Sequence, residues 1–132
     1  MKIKALYFNP EKCTPPETIL IDDDSCSEEL HRLLNCTFLD FTFREFSNKS
    51  FYVIIDDCGR SKAGNYVSTF AINSNDSKII HDIFGSIIIA GFPSDDGYIT
   101  ALSEDDVKLI NRCLIKYQCA NGIERFAFLL DR

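Results

Sequence analysis

The stretch Ile87-Ile88-Ile89-Ala90, bracketed by Gly85 and Gly91, is apolar at every position and β-branched at three of the four. Side chains alternate across a strand, so a run with no polar position has no face to offer water and must be an interior strand. Several other short runs read as its partners. From Lys2 to Phe8, Ile3, Ala5 and Tyr7 fall on one face and Leu6 and Phe8 on the other. Pro10, Pro15 and Pro16 bar a helix beyond it, and Thr18 to Ile21 predicts a second strand that closes an opening hairpin. Between Thr37 and Phe43, Leu39, Phe41 and Phe43 alternate with Asp40 and Thr42, the pattern of a half-exposed strand. Phe51 to Ile55 is apolar on both faces and closes on the turn residues Asp56-Asp57-Cys58-Gly59. A weaker strand is expected from Tyr66 to Ile72, and a last one from Arg125 to Leu130 after the Asn121-Gly122 turn.

Two segments carry helical signals. Ser25-x-x-Glu28 has the form of a capping box, and Leu30, Leu33 and Leu34 follow on one face, which predicts a helix over 25–35 ending at Asn35. Ser103-x-x-Asp106 is an acidic variant of the same box. Val107, Ile110, Leu114 and Tyr117 then recur at spacings of three, four and three, which predicts a helix over 104–118. Ile79, Ile80, Ile83 and Phe84 fit a further short helix, although the segment is ambiguous. The element order predicts an α+β fold: a mostly antiparallel sheet with two main helices packed on one face and a C-terminal strand. Without a linker or repeat, residues 1–132 read as a single globular domain, long enough for a normal core without staples.

Charge and cysteine usage narrow the function classes. Twenty acidic against fourteen basic side chains give a net charge of −6, which argues against direct duplex nucleic-acid binding. No apolar run approaches the roughly 20 residues of a membrane span. Asn9 and Pro10 interrupt what a signal peptide would need, so a cytoplasmic location is expected. The six cysteines, Cys13, Cys26, Cys36, Cys58, Cys113 and Cys119, form no CxxC pair and read as free thiols. His31 and His81 lack ligand spacing, so no metal and no cofactor is expected.

Certain strings resemble a known group. Met1 to Pro10 is similar to the opening strand of a small domain-of-unknown-function family carried by bacteriophages, plasmids and other mobile elements of Gram-positive bacteria. Ile80 to Gly91 resembles that family's Tyr-Asp-Ile-x-Gly-(Ser/Thr)-apolar-Gly block, and Leu102 to Asp106 its Ser-Leu-Thr-Asp-Glu-Gln helix start. The resemblance covers residues 1–118. Phe70-Ala71-Ile72-Asn73 stands where the family has Leu-Pro-x-Asn, Asn35-Cys36 replaces a glycine pair, and 119–132 extend past the usual end. The resemblance implies a mobile-element accessory protein and brings no catalytic residues with it.

Candidate sites follow from the residues. Asp22, Asp23 and Asp24, with Asp95 and Asp96, make acidic clusters beside predicted turns, suited to occupying a cationic channel. The leading expectation is therefore a non-enzymatic inhibitor of a host defence protein, of the anti-CRISPR or antirestriction type, acting through an acidic surface. The alternative is a module that sequesters a small molecule or nucleotide signal through Arg60, Lys62, Asn65 and Tyr66. An enzyme with an unrecognised site is the third. Among the aromatics, Phe41, Phe43, Phe46 and Phe51 read as a contact surface as well as a core. The alternating Phe126, Phe128 and Leu130 call for cover, either within the sheet or in a homodimer.

Overall fold

The isoleucine run lies at the centre of a five-stranded sheet. A computed structural model describes residues 2–57, 66–73, 75–95 and 99–131. In this sheet β1 (Lys2–Phe8), β2 (Glu17–Asp22), β3 (Leu39–Phe46), β4 (Lys49–Asp56) and the run itself pair in the order β2-β1-run-β4-β3, all antiparallel. The expected opening hairpin is present as β1 and β2. A second sheet contains β5 (Val67–Ile72), β6 (Ile79–Phe84), β8 (Leu114–Gln118) and β9 (Glu124–Asp131), in the order β6-β5-β9-β8, the isoleucine run (Ile87–Ala90) being β7. Only the β5–β9 pairing is parallel among the described strands. The fold is α+β, but it has two sheets where one was expected.

The two faces of the first sheet are buried by different layers. Leu6, Phe8, Phe51, Val53, Ile87 and Ile89 meet Ile83, Phe128 and Leu130 of the second sheet. On the reverse face, Ile3, Ala5, Ile21, Ile54, Ile88 and Ala90 pack with Leu30 and Leu34 of helix α1 (Cys26–Leu34). Helix α2 (Glu104–Asn111) contributes Ile110 and Val107 to the cluster between the sheets. The helices therefore do not share a face, contrary to expectation, because α1 covers the outside and α2 helps to fill the inside. At the end of β7, Gly91 bridges to Thr100, and a Cβ there would collide with the threonine hydroxyl. No helix among the described residues is long and apolar enough to cross a membrane.

Two helical expectations are corrected. The 104–118 helix ends at Asn111, and Leu114–Gln118 becomes β8, paired from Leu114↔Phe128 to Gln118↔Glu124. The 3-4-3 spacing is therefore shared between elements: Val107 and Ile110 are buried by helical period, while Leu114 and Tyr117 are placed by strand geometry, with Tyr117 edge-on to Phe70. Ile79–Phe84 is likewise a strand, β6, stabilised by pairing to β5 rather than by local helical propensity.

The caps also divide. Ser25 makes no side-chain cap, since a short 3-10 turn at Asp23–Ser25 intervenes and Asp22 caps it through Asp24 N. Glu29 instead accepts from Asp22 N at 2.8 Å. At α2 the box is reciprocal: Asp106 N donates to Ser103 Oγ at 3.1 Å and Ser103 N to Asp106 Oδ2 at 3.0 Å, while Lys49 Nζ pairs with Oδ1 at 2.6 Å.

Burial would raise the Asp106 pKa, but Lys49 and the Ser103 hydrogen bonds outweigh it and hold the carboxyl below its ordinary value of 3.8. A depressed folded pKa stabilises the fold above the unfolded value, and that contribution is lost as pH falls through the folded one. Asp106→Asn should therefore lower stability by about 1–2 kcal/mol at neutral pH. Urea melts should show its deficit against wild type shrinking as the medium becomes more acidic than the unfolded carboxyl. A deficit independent of pH would contradict the assignment.

Candidate protein-binding face

Helix α1 has nine residues, about 14 Å of axis, and cannot span a five-strand sheet roughly 19 Å across. Its cover ends near Tyr52. Beyond it, on the same face, Phe41 is 43% exposed, Phe43 52% and Phe92 45%, with Phe38 67% exposed just before β3. The rings form a row. Phe41 stacks on Tyr52 (centroids 5.3 Å apart), Tyr52 is tilted against Phe43 (5.2 Å), and Phe43 stacks on Phe92 (5.1 Å). Partial burial raises the Tyr52 phenol above its usual pKa.

Strand periodicity divides β3 between two roles. Its odd residues Phe41 and Phe43 face out with the row, whereas Phe46 is fully buried against Phe128 and Phe51. The expected contact-and-core aromatics thus separate, Phe41 and Phe43 to the surface and Phe46 and Phe51 to the core. The Ser47-Asn48 turn, with φ of 52° and 70°, sets this register. Asp57 N donates to Phe38 O, so the even residues of β3 bond to β4 and the odd ones point their backbone outward at the sheet edge. Side chains occupy that edge. Phe41 N donates to Asp40 Oδ1 at 2.9 Å, and Arg44 Nη1 donates to Phe43 O at 2.8 Å. Two of the outward backbone groups are thus taken by side chains, and the rings lie beside them.

Arg44 also joins the two sheets. Its Nε and Nη2 donate to Asp82 Oδ2 and Oδ1 at 2.8 and 3.0 Å, and Nη1 to Thr42 Oγ1 at 2.8 Å. The Thr69 hydroxyl donates to Asp82 Oδ2 at 2.9 Å and accepts from Ile83 N at 3.1 Å, beside a bulge in β5. This network holds β3 to the second sheet.

The acidic candidates are not brought together. Asp22, Asp23 and Asp24 lie at the end of β2, the edge opposite β3, with carboxylate oxygens within 4.8 Å of one another. The Asp24 amide, and then Lys2 at 3.5 Å, hold the Asp22 carboxyl below its usual value. Three carboxylate oxygens could contact a cation, but calcium takes six to eight oxygen ligands. Asp95, by contrast, is exposed three residues beyond Phe92, and exposed Glu45 follows Phe43 on the same face of β3. Asp96 lies outside the described residues.

Of the ligand candidates, Arg60, Lys62 and Asn65 also lie outside the described residues. Tyr66 lines a cavity of about 330 Å³ with Tyr7, Asn9, Glu11, Asn35 and Asp56. One face of its ring is already covered by Arg125, whose Cζ lies 4.6 Å from the centroid. His31 bonds Ser27 O within α1, and His81 packs edge-on against Phe70 and Phe84. Sequence reasoning named Phe41 and Phe43 but missed Phe92, Tyr52 and the Arg44–Asp82 pair, whose partners are distant in the chain. No family model, no curated protein and no solved structure matches the chain.

Proposed function

We propose that this chain is a non-enzymatic binding protein that docks on a basic protein surface through the Phe41–Tyr52–Phe43–Phe92 row and the adjacent acids Glu45 and Asp95. The observation that carries the reading is a contiguous row of rings, Phe41, Phe43 and Phe92 exposed and joined through half-buried Tyr52, on a sheet face that α1 buries elsewhere. Aromatic side chains supply most of the anchoring energy in protein interfaces, and charges at the rim steer association. The net charge of −6 favours a cationic partner. The partner class we favour is a host defence protein with a cationic nucleic-acid channel, a reading suited to the acidic charge and to a mobile-element accessory protein, with inhibition by occupancy.

The nucleotide-sequestering alternative is less well supported. The described lining of the Tyr66 cavity includes Glu11 and Asp56, which oppose an anionic ligand, and Arg125 already takes one face of the tyrosine.

The test is comparative capture from a defence-competent host with wild-type and Phe43→Ser/Phe92→Ser protein, followed by titration of the purified captured protein at low and high salt. Loss of both anchors should weaken binding by about 30-fold or more. Asp95→Asn should mainly reduce the salt dependence. Equal affinity of the double variant would remove the aromatic row from the interface. If Asp22, Asp23 and Asp24→Asn alone abolished binding, the contact would belong to the opposite edge.

A further inference from the structure

Phe92 completes the aromatic row although the strand that carries it has already ended. Strand β7 stops at Ala90, Gly91 makes only an isolated bridge, and Pro93, which has no N–H, cannot extend the ladder. Alternation assigns Phe92 to the face of Ile88 and Ala90, the face that bears Tyr52, but no ladder keeps it there. A returning segment does. The Thr100 hydroxyl donates to Phe92 O at 2.7 Å, and Gly91 N donates to Thr100 O at 2.9 Å. That segment is itself anchored on both sides of Thr100. Ile99 is buried in the cluster under α1, Leu102 is buried in the cluster between the sheets, and Leu102 N donates to Lys4 O of β1 at 2.9 Å.

We propose that Thr100 is a positioning residue of the aromatic face: its hydroxyl fixes the Phe92 main chain so that the ring is stacked on Phe43 before any partner arrives. The inference rests on the reading of the ring row as the docking surface. A ring already held in its bound place spares the complex the cost of ordering it. Gly91 belongs to the same device, since a Cβ there would collide with the Thr100 hydroxyl and crowd the Thr100 carbonyl. Valine at 100 keeps the branched side chain and loses the donor. The Phe92 carbonyl belongs to a residue 45% exposed, where water can replace the lost bond, so the fold should survive the change.

The first arm of the test uses the free protein and nuclear Overhauser contacts between ring protons. Thr100→Val should lose the Phe43–Phe92 cross-peaks while keeping those between Phe41 and Tyr52, and it should melt cooperatively near the wild-type temperature. Thr100→Ser, which restores the hydroxyl, should keep both sets, and Gly91→Ala should lose the first set as Thr100→Val does. Phe43–Phe92 cross-peaks that persist in Thr100→Val, that are lost equally in Thr100→Ser, or that vanish together with the Phe41–Tyr52 set would each overturn the proposal. The second arm titrates the purified protein captured by the wild type. Thr100→Val should bind it about fivefold more weakly and Thr100→Ser as wild type does. Lost cross-peaks with unchanged affinity would leave Thr100 as the residue that positions Phe92 and would remove Phe92 from the docking surface, a failure of the docking reading alone.

Discussion

Arg44→Ala should destabilise the protein by about 3–5 kcal/mol, because it takes the two-bond guanidinium fork away from a buried carboxylate. The Asp82 side chain is only 4% exposed, and both of its oxygens accept from the Arg44 fork. The substitution also removes the bonds to Thr42 and to the Phe43 carbonyl, so it loosens the sheet edge as well as the contact between sheets. For a chain of this size the melting temperature should fall by about 11–18 °C. Urea unfolding gives the sharper reading: a lower midpoint at constant slope reports lost stability, whereas a changed slope reports a different unfolded or native state. Arg44→Met with Asp82→Leu should recover much of the loss, as replacing both members removes the buried charge together with its fork. A single variant as stable as wild type would show that the pair does not hold the sheets together.

Phe128→Ala should cost a similar amount, about 3–5 kcal/mol, through a different cause. Its ring is fully buried between Phe8 and Phe46, edge-on to both at 5.1 and 5.4 Å, so truncation leaves a cavity in the layer between the sheets. Phe128→Leu should cost far less. Phe43→Ser, on the half-exposed row, should cost only about 1 kcal/mol, the loss of its ring contacts with Tyr52 and Phe92. The contrast between two phenylalanines, read in one denaturation series, separates residues that hold the fold from those that face outward. Deleting 121–132 goes further, since β9 is paired on both edges, to β5 and to β8, and its loss should abolish cooperative melting.

What the sequence revealed followed physical range. The isoleucine run, the opening hairpin, the reciprocal Ser103–Asp106 cap and the Asn35 helix stop are local signals, and all four are present. The 104–118 helix failed because Leu114 and Tyr117 satisfy a helical spacing while their strongest partners lie across a strand ladder. No local pattern reports that ladder. Ser25 failed as a cap because Asp22, three residues earlier, captures the turn first. The split into two sheets was equally hidden, since alternation marks strands without naming their neighbours. For the site, period two correctly grouped Phe41 with Phe43 but could not say which face would meet water. That depended on the length of α1 and on Arg44 finding Asp82, 38 positions away.

Strand β3 obeys two sets of demands along one backbone. Arg44 and Phe46 answer to the second sheet, while Phe41 and Phe43 touch only neighbouring rings of the half-exposed row and Glu45 faces outward. Under selection such a strand accumulates change with a beat of two: every other position is frozen by packing and its neighbours drift at little cost to folding. A lineage pursued by an adversary that keeps altering its own surface could rewrite Phe41, Phe43 and Glu45 repeatedly on an unchanged scaffold. Saturation mutagenesis of β3 scored for folding alone would display that rhythm as alternating intolerance and indifference.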